Sequence, residues 1–241
     1  MEQTNRKTIL LLGAAGGIGR VILKALKNDY AVLAVDQDAH VLELAEPDVT
    51  PYQLDLLRPE CRQTLQKALE VHDNLYGAVI ATGYMLPGSI TELSDEAWDQ
   101  TISVNLTMVS RVLKLVIPQL LKQKTSHIIA MASHLGTVGA YNLSAYCASK
   151  AALIELMKCV ALDYGDKGLI ANCISPGFVK TEMLAHAMGA FAVNKKWMFA
   201  TGGLPKQHID PNDIANMVCL LLRQTCMNGE NIVIDAGYTV R

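Results

Sequence analysis

Chemistry in this sequence concentrates in Ser144-Ala145-Tyr146-Cys147-Ala148-Ser149-Lys150, which opens a segment with apolar residues at helical intervals. The four-residue spacing sets Tyr146 and Lys150 one turn apart on the same helix face. Free tyrosine titrates near about 10. It acts as a base near neutrality only beside a group that favours its anion, and an ammonium one turn away is such a group. A surface tyrosine packed on a lysine stem would leave the same spacing, and the pair alone does not choose between the two. Ser133 stands thirteen residues before Tyr146, where an apolar run ends.

A second concentration lies near the N-terminus, where Gly13-Ala14-Ala15-Gly16-Gly17-Ile18-Gly19 separates an apolar run from a helix opening with Arg20-Val21-Ile22. Glycines there permit a tight turn and close approach of a ligand to the backbone. Free N–H groups and the partial positive charge of a helix start can hold a pyrophosphate. The next apolar run, Ala31-Val32-Leu33-Ala34-Val35, ends in Asp36. Its carboxylate would accept hydrogen bonds from the adenosine ribose hydroxyls of NAD and repel a 2′-phosphate. No lysine or arginine within the glycine turn offsets that repulsion, and Gln37 follows, so the expected cofactor is NAD rather than NADP. A strand-capping or turn role is the alternative for Asp36. Asp55 is open in the same way, between contact with the adenine amino group and ordinary turn chemistry.

These residues need elements to hold them. Short apolar runs at 8–12, 31–35, 50–54, 77–81, 127–132, 169–174 and 231–235 read as strands, and helical periodicity covers 17–28, 59–71, 95–122, 144–164 and 211–223. Alternation of this kind predicts an α/β fold, a doubly wound parallel sheet of seven strands with helices on both faces. The segment 180–206 fits neither pattern. It is expected to be a substrate lid, with Met183, Leu184, Met188, Phe191, Trp197, Met198 and Phe199 as its apolar surface and Gly202 and Gly203 as its hinge.

Composition narrows the alternatives. With 51% hydrophobic and 18% charged residues over 241 positions, the chain is expected to fold as one globular domain, 1–241. A net charge of −2 leaves no surplus to neutralise a phosphate polymer, so no nucleic-acid partner is expected. The polar start and the short, glycine-rich run at 8–19 suit neither a signal peptide nor a membrane span, so the expected location is cytoplasmic with no membrane partner. Six cysteines without C-x-x-C or histidine spacing imply no metal and reduced, mostly buried thiols.

Together, Gly13-x-x-x-Gly17-Ile18-Gly19, Asp36, Asp55, Asn105, Ser133, Tyr146-x-x-x-Lys150, Asn172-x-x-x-Pro176-Gly177 with Thr181, and Asp235-Ala236-Gly237 resemble the short-chain dehydrogenase/reductase family over nearly the whole chain. The resemblance implies a single-domain Rossmann fold and an oxidoreductase that moves a hydride between NAD(H) and a small-molecule secondary alcohol or ketone. It implies that Tyr146 exchanges a proton with the substrate oxygen and that Ser133 hydrogen-bonds the same oxygen. Lys150 would hold the nicotinamide ribose and favour the tyrosinate, and Asn105 would help organise a water linking Lys150 to solvent. The cofactor would lie along Gly13, Gly16, Gly17, Ile18, Gly19, Asp36, Asp55 and Gly83. Its nicotinamide would meet Tyr146, Lys150 and the backbone of Pro176, Gly177 and Val179 with Thr181. A homotetramer using helices at 97–122 and 144–164 is likewise implied.

The chain departs from the family pattern at Leu12, usually threonine, and at Ile80-Ala81-Thr82-Gly83, usually Asn-Asn-Ala-Gly. Side-chain hydrogen bonds bracing the sheet near the adenine are expected to be missing there. His134 is read as an exposed loop histidine without a role in preference to a substrate contact, and Lys195 and Lys196 as solvated. A 3-oxoacyl thioester reductase and a non-catalytic NAD-sensing interaction protein are the competing functions. NADPH dependence would favour the first, and degraded catalytic positions the second.

Overall fold

All five residues of β1 (Thr8–Leu12) are buried because the strand is covered on both faces. Successive side chains point to opposite sides of a sheet. Leu10 and Leu12 accordingly join one core cluster, and Ile9 and Leu11 join the other. A strand buried this way reads as a continuous apolar run, the mark of parallel sheets wrapped by helices. Each such side chain contributes about 1.5–3 kcal/mol on burial. A computed structural model of the chain describes residues 6–72, 74–182 and 208–240.

The expected doubly wound sheet is present as a single domain. Its strands are β1, β2 (Ala31–Asp36), β3 (Val49–Gln53), β4 (Leu75–Ile80), β5 (Ser126–Met131), β6 (Leu169–Pro176) and β7 (Asn231–Ile234). They lie in the order β3-β2-β1-β4-β5-β6-β7, every pair parallel. Helices α1 (Gly17–Leu26) and α6 (Pro211–Leu221) cover one face, contributing Ile22, Leu26, Ile214 and Val218 to its core. The other face is covered by α2 (Pro59–Val71), α4 (Met108–Leu120) and α5 (Ser144–Tyr164).

The helix expected over 95–122 is not continuous. It runs as α3 (Asp95–Ile102), a π turn (Ser103–Thr107) and α4. Such an insertion keeps both flanking segments helical, so apolar periodicity reads straight through it. The combined stretch Asp95–Leu120 is long and apolar enough to cross a membrane by composition. Here Val109, Val112, Leu113, Val116 and Leu120 are buried against the sheet instead.

The six cysteines are free thiols, but the expected burial holds fully only for Cys173. Cys61, Cys147 and Cys219 are half-buried, each packed against the edge of a core cluster, and Cys159 and Cys226 are exposed. The lid expected at 180–206 lies outside the described residues from 183 onward. The described chain on either side of that stretch is joined, with Lys180 N–H donating to Ile209 O at 3.1 Å and Ile209 N–H to Phe178 O at 2.9 Å.

At the N-terminal edge of the sheet, His127 is 1% exposed, with Nε2 3.0 Å from the Tyr76 hydroxyl and Nδ1 buried without a partner. Burial, helped by the charge on Lys7, pushes its pKa down to about 4. The unfolded chain takes up this proton near about 6.5, while the folded chain refuses it until about 4. Stability from this residue is therefore intact above pH 6.5 and falls as pH drops through that window. The melting temperature is expected to drop more steeply between pH 6.5 and 4.5 in the parent protein than in His127→Phe. Equal slopes would remove His127 as the cause.

Candidate active site

The strand order reverses direction between β1 and β4, and the carboxyl ends of those strands open the crevice in which such sheets bind ligands. Gly13 leaves β1 at φ +79°, and its N–H and that of Ala14 both donate to Val35 O, at 2.9 and 3.2 Å. A Cβ on Gly13 would stand 2.8 Å from the Ala81 backbone, and one on Gly19 1.9 Å from Gly13 O. The turn is thus locked by backbone on backbone. Helix α1 then starts with no side chain capping it, leaving its first-turn N–H groups to face the groove. An uncapped ten-residue helix behind a glycine turn fits an anionic pyrophosphate.

The groove continues along Asp36, Gln37, Asp38 and Asp55 at one end and Gly83, Val104 and Thr181 at the other. Asp36 does more than face a ligand. Its carboxylate accepts Ala15 N–H at 2.9 Å and Asp38 N–H at 3.0 Å, tying the end of β2 to the glycine turn. Asp55 lines the same groove while accepting Leu57 N–H and Arg58 Nε–H, both at 3.1 Å. Thr82, in the segment that departs from the family pattern, has its hydroxyl buried without a partner, so it braces nothing in the sheet.

A second cavity adjoins the groove through Ile18, Ala81, Thr82, Gly83 and Thr181, and holds Ser133, Tyr146 and Lys150 together. Ser133 follows β5, and Tyr146 and Lys150 come from the first turns of α5. The Ser133 hydroxyl is hydrogen-bonded to the Tyr146 phenol and accepts Leu135 N–H at 3.1 Å. Lys150 is 2% exposed, donates to Met131 O at 2.8 Å, and sits with Nζ 5.8 Å from the centre of the Tyr146 ring. Burial pushes Tyr146 up to about 12, against the Ser133 hydrogen bond that acts the other way, and pushes Lys150 down to about 8. Desolvation outweighs the Ser133 hydrogen bond, so Tyr146 rests as a phenol, the proton-donating form.

Asn105 occupies the π turn, and this is what aims it inward. It accepts Tyr84 N–H and donates to Tyr84 O, both at 2.8 Å, and to Ser149 Oγ at 2.9 Å. Ser149 in turn donates to Tyr146 O at 2.8 Å. Both hydrogens of the Asn105 amide are therefore engaged in fixing the segment after β4 to the helix that carries Tyr146. Pro176 ends β6, and Gly177 N–H donates to Ile234 O at 2.8 Å, so close to the next segment that a Cβ would stand 2.8 Å from Asp235 Cα. Val179 and Thr181 follow on the cavity wall.

His134 corrects the expectation of an exposed loop residue. It is 2% exposed, because the 3-10 turn His134–Gly136 folds the ring inward beneath the end of β6. Its Nδ1 lies 2.9 Å from Pro176 O, and it packs edge to face on Phe178 and Tyr238, with ring centres 5.1 and 4.8 Å away. Phe178, Tyr238 and Met85 also line the cavity and were not singled out from the sequence. The one available hint for Tyr238 was Gly237, which at φ +81°, after Ala236 at φ +55°, turns the chain back over the site. Among the described residues no cluster of metal-binding side chains occurs.

The family model described as enoyl-(acyl carrier protein) reductase matches residues 13–239. A dehydrogenase/reductase of Danio rerio, named SDR family member 6, is 32% identical over 99% of this chain and 99% of its own length. Among solved structures, 4-hydroxyisoleucine dehydrogenase complexed with NADH superposes with a TM-score of 0.86 at 26% identity, covering 98% of this chain and 100% of that one. A variant of actinorhodin polyketide ketoreductase with NADPH gives 0.88 at 25% identity, with 99% of each chain covered.

Proposed function

The chain belongs to the short-chain dehydrogenase/reductase family, and from that premise we propose that it interconverts a secondary alcohol and a ketone with NAD(H), Tyr146 exchanging the proton on the substrate oxygen. The observation that carries this reading is the hydroxyl pair of Ser133 and Tyr146 in a cavity that opens onto the glycine-turn groove. The hydride chemistry is supplied by the nicotinamide when bound.

The protein's own contribution is to hold and protonate one oxygen. Two hydroxyls converging on a point fix a carbonyl oxygen and stabilise the charge that develops there. In the reducing direction Tyr146 hands over its proton from the resting phenol. In the oxidising direction the tyrosinate must form, which burial opposes and the Ser133 hydrogen bond favours, and which an ammonium one helical turn away at Lys150 would favour further. Lys150 keeps two hydrogens beyond the one given to Met131 O, suited to the nicotinamide ribose. Asn105 supports the group by fixing α5 through Ser149.

Among the described residues lining the cavity, Lys150 is the one side chain that carries charge, and Met85, Leu135, Leu143, Phe178 and Tyr238 form much of the rest. This supports an uncharged, largely hydrophobic substrate. Reduction of a 3-oxoacyl thioester is favoured by the similarity to a 3-oxoacyl-(acyl carrier protein) reductase of Thermotoga maritima, 25% identical over 97% of this chain, and to the NADPH-bound ketoreductase. The carboxylates of Asp36 and Asp38 in the groove weigh against the 2′-phosphate such a reaction would bring.

Asp36→Asn is the cleaner test of cofactor choice, because it keeps an acceptor for Ala15 N–H while removing the charge, whereas alanine would also release the glycine turn. The ratio of kcat/KM for NADPH to that for NADH is expected to rise about tenfold, the effect of roughly 1.4 kcal/mol. The same absorbance assay, run over apolar secondary alcohols with NAD and ketones with each reduced cofactor, tests the whole reading. Turnover confined to NADPH would install the thioester reductase, and tight NADH binding without any turnover would install the non-catalytic sensor.

A further inference from the structure

We propose that His134 is a positioning residue, whose Nδ1–H, donated to the Pro176 carbonyl, holds the Pro176-Gly177 turn in register with the Ser133 hydroxyl. The proposal rests on the reading of that turn as the one facing the nicotinamide, and it assigns a role to a side chain that the hydride-transfer scheme leaves unused.

The hydrogen bond fixes the ring's protonation. A carbonyl only accepts, so Nδ1 carries the hydrogen at 2.9 Å from Pro176 O. Burial lowers the pKa, although Asp235 and the Pro176 carbonyl act the other way, which keeps the ring neutral and leaves a lone pair on Nε2. That nitrogen is buried without a hydrogen-bond partner. Leaving it so costs free energy. A phenylalanine would fill the same slot against Phe178 and Tyr238 without that cost, so packing alone does not account for an imidazole here.

The other end of the bond explains what it does. Pro176 has no N–H, so its carbonyl is the backbone group by which this residue can be held. Gly177 is already pinned from the opposite side, by its bond to Ile234 O and by its contact with Asp235. His134 closes the clamp from beneath β6. Because it directly follows Ser133, any shift of the turn is transmitted to the hydroxyl that faces Tyr146. The bond joins residues 42 positions apart, linking the part of the site that would hold the substrate oxygen to the part that would hold the cofactor ring.

Two substitutions separate the hydrogen bond from the ring. His134→Phe keeps the aromatic packing and loses the donor, while His134→Asn keeps a donor at the position of Nδ1 and loses the ring. Amide hydrogen exchange at Gly177, Phe178 and Val179, measured without cofactor, is expected to quicken about tenfold in His134→Phe, matching the loss of one buried hydrogen bond. In the same variant the dissociation constant for NADH, followed by fluorescence, is expected to rise by about the same factor. His134→Asn is expected to restore both to within about threefold of the parent protein. Unchanged exchange in His134→Phe would overturn the proposal, as would an asparagine variant as loose as the phenylalanine one, since ring packing would then be the cause. Quickened exchange in His134→Phe, alongside a parent protein that binds no NADH, would uphold the clamp and strike out the cofactor reading instead.

Discussion

Tyr146→Phe is expected to lower turnover by about 10²–10⁴-fold, the range general acid–base catalysis supplies, while melting temperature and NADH affinity stay close to those of the parent protein. The ring would remain packed with Leu135, Leu143 and Tyr238, and only the hydroxyl hydrogen-bonded to Ser133 is removed. Ser133 still accepts Leu135 N–H, and its own O–H, which loses the phenol, faces the cavity it lines with Tyr146. Steady-state rates, a thermal melt and a fluorescence titration on the same preparation check the three parts together. A variant that turns over at near-parental rates would reject Tyr146 as the proton-exchanging group, and one that loses NADH binding as well would show that the substitution disturbed the site rather than the chemistry.

Gly19→Ala is expected to abolish measurable cofactor binding for a reason that needs no catalytic argument. The added Cβ would stand 1.9 Å from Gly13 O and 2.8 Å from Gly13 C, both backbone atoms of a turn held by Val35 O. Either α1 moves away from the sheet or the turn opens. Overpacking of this kind costs about 1–3 kcal/mol or more, and it displaces the N–H groups a pyrophosphate would use. The NADH dissociation constant is expected to rise at least about hundredfold, equivalent to roughly 2.7 kcal/mol, with a lowered melting temperature. Gly16→Ala is the control, because its Cβ meets nothing closer than 3.4 Å and its backbone is extended at φ −72°. It should melt as the parent protein does. Near-parental NADH binding by Gly19→Ala would mean that the glycine turn is not the cofactor cradle.

The sequence by itself determined the sheet and the nucleotide turn, since each follows from signals within a few residues. β1 is legible because burial on both faces demands five buried residues in a row, and the turn after it because Gly13, with φ +79°, and Gly19, with no room for a Cβ, sit directly between strand and helix. The Tyr146 and Lys150 pairing is likewise a matter of helical pitch.

What only the tertiary structure decided involves groups far apart along the chain. The inward turn of Asn105 depends on bonds to Tyr84 and Ser149 across a π turn that periodicity passes over. Nothing near His134 foretells its burial, which is produced by Pro176, Phe178 and Tyr238 arriving from the ends of β6 and β7. The bracing of the glycine turn by Asp36 was hidden for the same reason. Local spacing fixes which way a side chain leaves its own helix or strand, whereas the partner it meets is set by how separate elements pack, and that choice belongs to the whole chain.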